Sequence, residues 1–208
     1  LAGVMYTYQL ANASADDPMD MTARITNPSF ELSNRFEGWV NAGAFAAATS
    51  NPGTLGFAKD GTVFIEKYTP PANSLTEAEL YQVITGLPNG KYVLTAAAQA
   101  RVNENGDNPG YAEGAEIFAN YKSVVVSEAK NDYTLTISVV DGTLKIGFKV
   151  IPEMVNWVCT DNYRLAFIGI DVDDMAEALE ALIEEAEEVT GTMQAAVTTE
   201  LAEAITQA

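Results

Sequence analysis

The chain has 208 residues, 48% of them hydrophobic, which suits one domain with a sizeable core plus a smaller appendage and argues against disorder over most of its length. Its formal net charge is −18, and residues 171–208 hold eleven of the 29 acidic residues and none of the 11 basic ones. Such a surface repels a phosphate backbone, so no nucleic-acid partner is expected, and the absence of histidine removes Ser-His-Asp and Cys-His catalysis as well as His-based zinc sites.

Residues 1–21 read as an opening segment and linker. Leu1 to Leu10 are mostly apolar or aromatic, and Ala11 to Asp20 are small, polar and acidic around Pro18. The first residue is Leu and no basic n-region precedes it, so the chain reads as an excerpt of a longer, modular protein. No apolar run reaches the ~18 residues of a membrane span, so no transmembrane segment is expected.

Residues 22–172 carry a β signal. Tyr133, Leu135, Ile137 and Val139 alternate with more polar neighbours, as do Leu144, Ile146, Phe148 and Val150, and Asp141-Gly142 between them is a two-residue hairpin signal. Thr62 to Tyr68, Leu80 to Thr85, Lys91 to Arg101, Ala115 to Asn120, Ser123 to Ser127 and Tyr163 to Ile170 read as further strands, with a turn at Leu87-Pro88-Asn89-Gly90. Short strands at this spacing without intervening helices predict a mainly β fold, an antiparallel two-sheet sandwich. Cys159, alone and beside Val158, reads as a buried thiol, and Trp39 as core.

From Asp173 the period changes. Met175, Leu179, Leu182 and Ile183 recur at helical spacing, Gly191 interrupts, and Met193, Val197, Leu201 and Ile205 repeat the pattern. Residues 173–208 therefore read as an α-helical hairpin with a solvated acidic face.

Each antiparallel connection returns the chain to the opposite end of a sandwich, so loop ends follow from counting strands. The tight turns then fall at one end. The longer connections, 69–78, 102–114 and 151–157, fall at the other, carrying Asn103, Tyr111, Asn156 and Trp157, with Tyr68 and Arg101 at strand ends. Long loops on a rigid scaffold are where binding resides. Aromatic faces suit the C–H face of a sugar, and Asn and Arg suit its hydroxyls. Trp157, Asn156, Arg101, Tyr111, Tyr68 and Asn103 are thus the candidate ligand-binding residues, with the Trp157 ring expected to be solvent-accessible. Paired carboxylates such as Glu66 and Glu116 could in principle serve glycoside hydrolysis, but nothing in the sequence fixes their separation.

Three segments together resemble the galactose-binding-like, carbohydrate-binding jelly-roll modules of secreted and surface glycan-handling proteins of gut anaerobic bacteria. They are Ile25-Thr26-Asn27-Pro28-Ser29-Phe30-Glu31 with Gly38-Trp39, Thr85-Gly86-Leu87-Pro88-Asn89-Gly90-Lys91-Tyr92, and Asn156-Trp157 with Asp161-Asn162-Tyr163-Arg164-Leu165. The resemblance spans about 22–170. It implies a jelly-roll sandwich, a glycan partner (polysaccharide or glycoconjugate), an extracytoplasmic location, secreted or on the outer cell surface, and neighbouring modules in the parent chain. It also implies a structural Ca²⁺ between the opening and closing strands, with Glu31 and Asp161 as its carboxylate ligands. The reading is a non-catalytic carbohydrate-binding module, possible parent activity being that of a glycoside hydrolase; the alternative is a structural or adhesive spacer without a small ligand.

Overall fold

The two most strongly alternating segments form strands of different sheets. In the computed structural model, which describes residues 2–49, 59–102, 110–127 and 131–207 (side chains to residue 192, except 2, 185 and 191), β10 (Asn131–Val139) pairs with β6 (Gly90–Val102). Its successor β11 (Leu144–Val150) pairs instead with β5 (Glu79–Ile84) and β8 (Ala115–Ala119). Asp141-Gly142 is therefore a crossing between sheets rather than the hairpin turn expected from sequence. Alternation reports one buried face per strand, and that face is equally buried whether the next strand lies alongside or across the core. The turn from β5 to β6 crosses in the same way, and the two crossings pack together: Leu87 N donates to Gly142 O at 3.0 Å and Asn89 Nδ2 to Val140 O at 2.7 Å.

The remaining strands complete an antiparallel two-sheet sandwich. One sheet has the order β10-β6-β12-β4-β3, where β12 is Trp157–Phe167, β4 Val63–Tyr68 and β3 Ala46–Thr49. Two short strands extend it: β1 (Met19–Asp20) pairs β12, and β7 (Gly110–Tyr111) pairs β6, giving seven strands. The other sheet has five strands, β2-β5-β11-β8-β9, with β2 at Val40–Ala42 and β9 at Lys122–Val126. Between the sheets lie fully buried Leu94, Ile117, Ile137, Leu144, Ile146, Phe148 and Ile65.

The opening motif is not a strand. After a 3-10 turn at Thr22–Arg24 the chain folds through turns up to β2. Asn27 organises them: its side-chain amide donates to Asn34 O and Arg35 O, and its Oδ1 accepts from Leu32 N. Phe30 adopts φ of 57°, a left-handed conformation that a bulky residue enters only when its surroundings enforce it. The enforcement is packing. The Phe30 ring is fully buried, 5.1 Å from Trp39 and 6.1 Å edge-on to Tyr163, while Trp39 lies 4.8 Å from Tyr163 and donates Nε1 to Thr26 O. Trp39 is core, as its place after Gly38 suggests.

Two helices flank the sandwich. α1 (Ala2–Asn12) forms within the apolar opening segment and leaves Val4, Met5 and Tyr8 exposed. α2 (Val172–Gln207) is a single helix: it runs through Gly191 where a hairpin turn was expected. A lone Gly costs a helix interior only about 1 kcal/mol, and no Pro or capping residue accompanies this one. Lys91 pairs with Asp174, and Lys122 with Glu177 at 3.8 Å, holding the first turns of α2 to the sandwich, where Ala178 is buried. No helix among the described residues is long and apolar enough to cross a membrane.

Candidate functional site

Four of the six candidate ligand-binding residues form one continuous row. Tyr111 of β7 stands opposite Arg101 of β6, Arg101 opposite Trp157 of β12, and Trp157 opposite Tyr68 of β4. Directly opposed residues project to the same face of a sheet, so the row crosses four strands on the outer face of the seven-stranded sheet. The Arg101 guanidinium lies 5.5 Å from the Tyr111 ring centre and 5.6 Å from that of Trp157, close enough for cation–π attraction on both sides.

Burial along the row corrects the expectation for Trp157. Its ring is not a solvent-accessible platform: Trp157 is 4% exposed and Arg101 3%, whereas the terminal Tyr111 and Tyr68 are 46% and 44% exposed. The reason is that β12 begins at Trp157, six residues before the strand expected from sequence, so the indole lies over the sheet. Beneath and beside it sit Phe64, Ala97 and Cys159, a small apolar cluster on the outer face that is separate from the main core. The small side chain of Ala48 packs against this cluster. Trp157 Nε1 donates to Glu66 Oε2 at 2.7 Å, which satisfies the one polar atom of a buried indole.

Arg101 is used differently from the other arginines. Arg24 donates to Thr85 O and Gly86 O, Arg35 to Phe30 O and Glu31 O, and Arg164 pairs with Asp60 at 2.8 Å. Arg101 Nε, by contrast, is buried and has no hydrogen-bond partner among the described residues. Asn156 is also buried and acts as a joint: its N–H donates to Arg101 O, its carbonyl accepts from Thr69 N, and its Nδ2 donates to Thr69 O. The remaining candidate, Asn103, lies outside the described residues.

Glu31 and Asp161 do converge, on one segment of chain. Glu31 Oε1 accepts from Thr62 N at 2.8 Å and Val63 N at 2.6 Å. Asp161 Oδ2 accepts from Lys59 N at 2.6 Å and Asp60 N at 3.1 Å, and its Oδ1 from Asn162 N. A β-bulge between Asp161 and Arg164, with Asn162 at φ of 55°, breaks the register there. The donor set does not fit Ca²⁺ as arranged. The ion takes six to eight oxygens, whereas these three oxygens face five amide hydrogens, and no group of three or more His, Cys, Asp or Glu side chains placed to hold a metal occurs among the described residues. The two carboxylates hold residues 59–63 directly. Burial pushes the Asp161 carboxyl up to about 6, against the opposing pull of its backbone N–H partners, with Asp60 nearby adding to the rise. Asp60 itself is held below the usual carboxylate range by Ser29 and Arg164.

Glu66 and Glu116, the carboxylates considered for hydrolysis, lie on the outer faces of opposite sheets. Glu66 serves the Trp157 indole and Glu116 pairs with Lys149 at 2.6 Å. A groove of about 770 Å³ lies between the five-stranded sheet and α2, lined in part by Phe118, Tyr121, Lys145 and Leu182. Its cations are already engaged: Lys145 sits 4.1 Å from the Tyr81 ring centre and 2.6 Å from Glu79, and Lys122 and Lys149 have the acidic partners given above.

No family model matches the chain, and no curated protein matches it. Solved structures do. A carbohydrate-binding module, TmCBM61 in complex with β-1,4-galactotriose, is 23% identical with a TM-score of 0.51, covering 68% of this chain and 96% of that one. A cyclase from Fischerella sp. TAU is 16% identical with a TM-score of 0.53, covering 74% of this chain and 100% of that one. Proteins of different function thus share this architecture, and at these identities the likeness is one of fold: the chain is an antiparallel two-sheet β-sandwich of the kind found in a carbohydrate-binding module and in a cyclase, followed by a helical segment.

Proposed function

We propose that this chain is a non-catalytic glycan-binding module of a secreted or surface-exposed modular protein, binding at the Tyr111–Arg101–Trp157–Tyr68 row. The observation that carries the reading is the row itself: two exposed phenol rings flank a buried cation–indole pair on one face of the sheet. A pyranose needs a flat apolar surface for its C–H face and fixed polar groups for its hydroxyls, and the row supplies both on rigid strands. In this arrangement Tyr111 and Tyr68 are the contact platforms, and the buried Arg101–Trp157 pair, with Glu66, is the support between them. The shared fold with a galactotriose-bound module is compatible with this and carries no residue-level weight.

The non-catalytic reading is supported by the engagement of Glu66 and Glu116 on opposite faces, which gives no paired acid and base. A second reading, a structural or adhesive spacer without a small ligand, is favoured by the burial of Trp157. A glycan-array screen followed by titration calorimetry decides between them. Binding that weakens at least tenfold in Tyr111→Ala or Tyr68→Ala, with an unchanged melt, supports the module; no binding to any glycan leaves the spacer.

A further inference from the structure

We infer that α2 is a docking surface for a helix of a partner protein, one with an aliphatic seam bordered by Lys or Arg. The inference is independent of the glycan-binding reading, since α2 begins beyond the end of β12 opposite to Trp157. Val172, Leu179, Leu182, Ile183 and Val189 recur at steps of three, four and seven residues, which places them on one side of the helix. All five are between 37% and 75% exposed. Ala178, the residue that α2 buries against the sandwich, lies about 100° around the helix from Leu179. The sandwich therefore anchors α2 by one side and leaves an adjacent aliphatic stripe open over roughly 25 Å. The chain does not fold back to cover it, because α2 runs unbroken through Gly191. Contiguous exposed apolar surface of this kind marks an interaction site, and anchors at these spacings are how one amphipathic helix takes another.

Charge selects the occupant. Glu180 and Glu187, three residues before and four after Ile183, border the stripe on the side away from the sandwich, and both are exposed. The sandwich lysines that reach α2 engage Asp174 and Glu177 instead. Residues 171–208 contain eleven acidic residues and no Lys or Arg, so a second copy of α2 would add acid to acid with no cation on either helix. An anionic lipid surface is disfavoured for the same reason. A helix whose seam is bordered by Lys or Arg buries the stripe and meets Glu180 and Glu187 with opposite charge, the arrangement that sets partner choice in paired helices.

The test titrates the full chain with three synthetic peptides of three heptads each: a Leu seam bordered by Lys, the same seam bordered by Glu, and a scrambled sequence of the Lys peptide. Calorimetry at low and at physiological salt is paired with sedimentation of the chain alone. The expected result is one-to-one binding of the Lys-bordered peptide, at least tenfold tighter than either control, weakening with salt, on a chain that sediments as a monomer. Binding should fall at least tenfold in Leu179→Ser with Ile183→Ser, and the preference for Lys over Glu borders should shrink in Glu180→Gln with Glu187→Gln. Equal binding of the Glu-bordered or scrambled peptide overturns the inference, as does no binding of the Lys-bordered one. A dimer of the chain that Leu179→Ser with Ile183→Ser abolishes also overturns it and gives the stripe to a second copy. Should that variant fail to melt cooperatively, the two glutamine substitutions, on exposed positions, decide.

Discussion

Arg101 and Trp157 face each other across the β6–β12 ladder, guanidinium 5.6 Å from the indole centre, and each is almost wholly buried on what is nominally the outer face of the sheet. A cation held this way fixes the positions of the rings on either side of it. The pair also separates two kinds of residue in the row, those that hold and those that touch.

That separation predicts opposite outcomes for neighbouring aromatics. Trp157→Ala removes a buried ring and leaves Glu66 without its donor, so it should lower stability by about 3–5 kcal/mol. Tyr111→Ala and Tyr68→Ala change half-exposed positions and should cost about 1 kcal/mol or less. Urea melts of the three variants check this, and a Trp157→Ala protein as stable as the parent would show that the ring is not structural.

The carboxylate grip on residues 59–63 predicts indifference to calcium. Chelation and added Ca²⁺ should leave the melting temperature unchanged. Glu31→Ala, which frees the amides of Thr62 and Val63, should cost about 1–3 kcal/mol. A melting temperature that rises with Ca²⁺ and no longer does so in Asp161→Asn would restore the ion.

Asp161 also predicts a pH dependence of defined sign. Its folded-state value is raised from 3.8 to about 6, so the folded protein holds this proton more tightly than the unfolded chain. The resulting stabilisation is fully present below about 4 and is lost as pH rises through about 6; two units correspond to up to about 3 kcal/mol. Asp20 and Asp60, whose values are lowered, act in the opposite sense and only as pH falls through the ordinary carboxylate range. Urea midpoints at pH 4.5, 5.5 and 7 should therefore decline with pH in the parent and be flatter in Asp161→Asn. Equal slopes in the two proteins would remove Asp161 as the cause.

The unbroken α2 makes Gly191 an interior helical residue. Gly191→Ala should then raise helical ellipticity and add roughly 1 kcal/mol of local helix stability. A turn at this position in a left-handed conformation would respond with the opposite sign.

Apart from β7, which falls in the expected 102–114 connection, the strands from β4 to β11 are legible in the sequence, most directly β10 and β11, where alternation reports one buried face. Their assignment to sheets is not, since Asp141-Gly142 has the same composition whether it turns along a sheet or across the core. β2 and β3 were missed for a different reason: Val40-Asn41-Ala42 and Ala46–Thr49 have little intrinsic strand preference and are strands through their pairing with β5 and β4. At the site, counting strand directions brought Tyr111, Arg101, Trp157 and Tyr68 together correctly. It misjudged exposure because Trp157-Val158-Cys159 is apolar on both faces, and alternation carries no information where the outer face is covered too. Glu66 was considered only as a possible catalytic acid, although an outward carboxylate in a strand beside a tryptophan can be read as a candidate acceptor for its N–H.

Met19 and Asp20 pair with Phe167 and Ala166, so the first and last strands of the sandwich are hydrogen-bonded neighbours running in opposite directions. Tension applied to the chain on either side therefore meets the β1–β12 ladder end-on and opens it one rung at a time, rather than shearing several hydrogen bonds together. β1 offers only two residues to that ladder. In a force-spectroscopy experiment pulling through residues 13 and 170, the sandwich should yield first at β1, at low force, while the Tyr111–Arg101–Trp157–Tyr68 row at the other end of β12 stays loaded last.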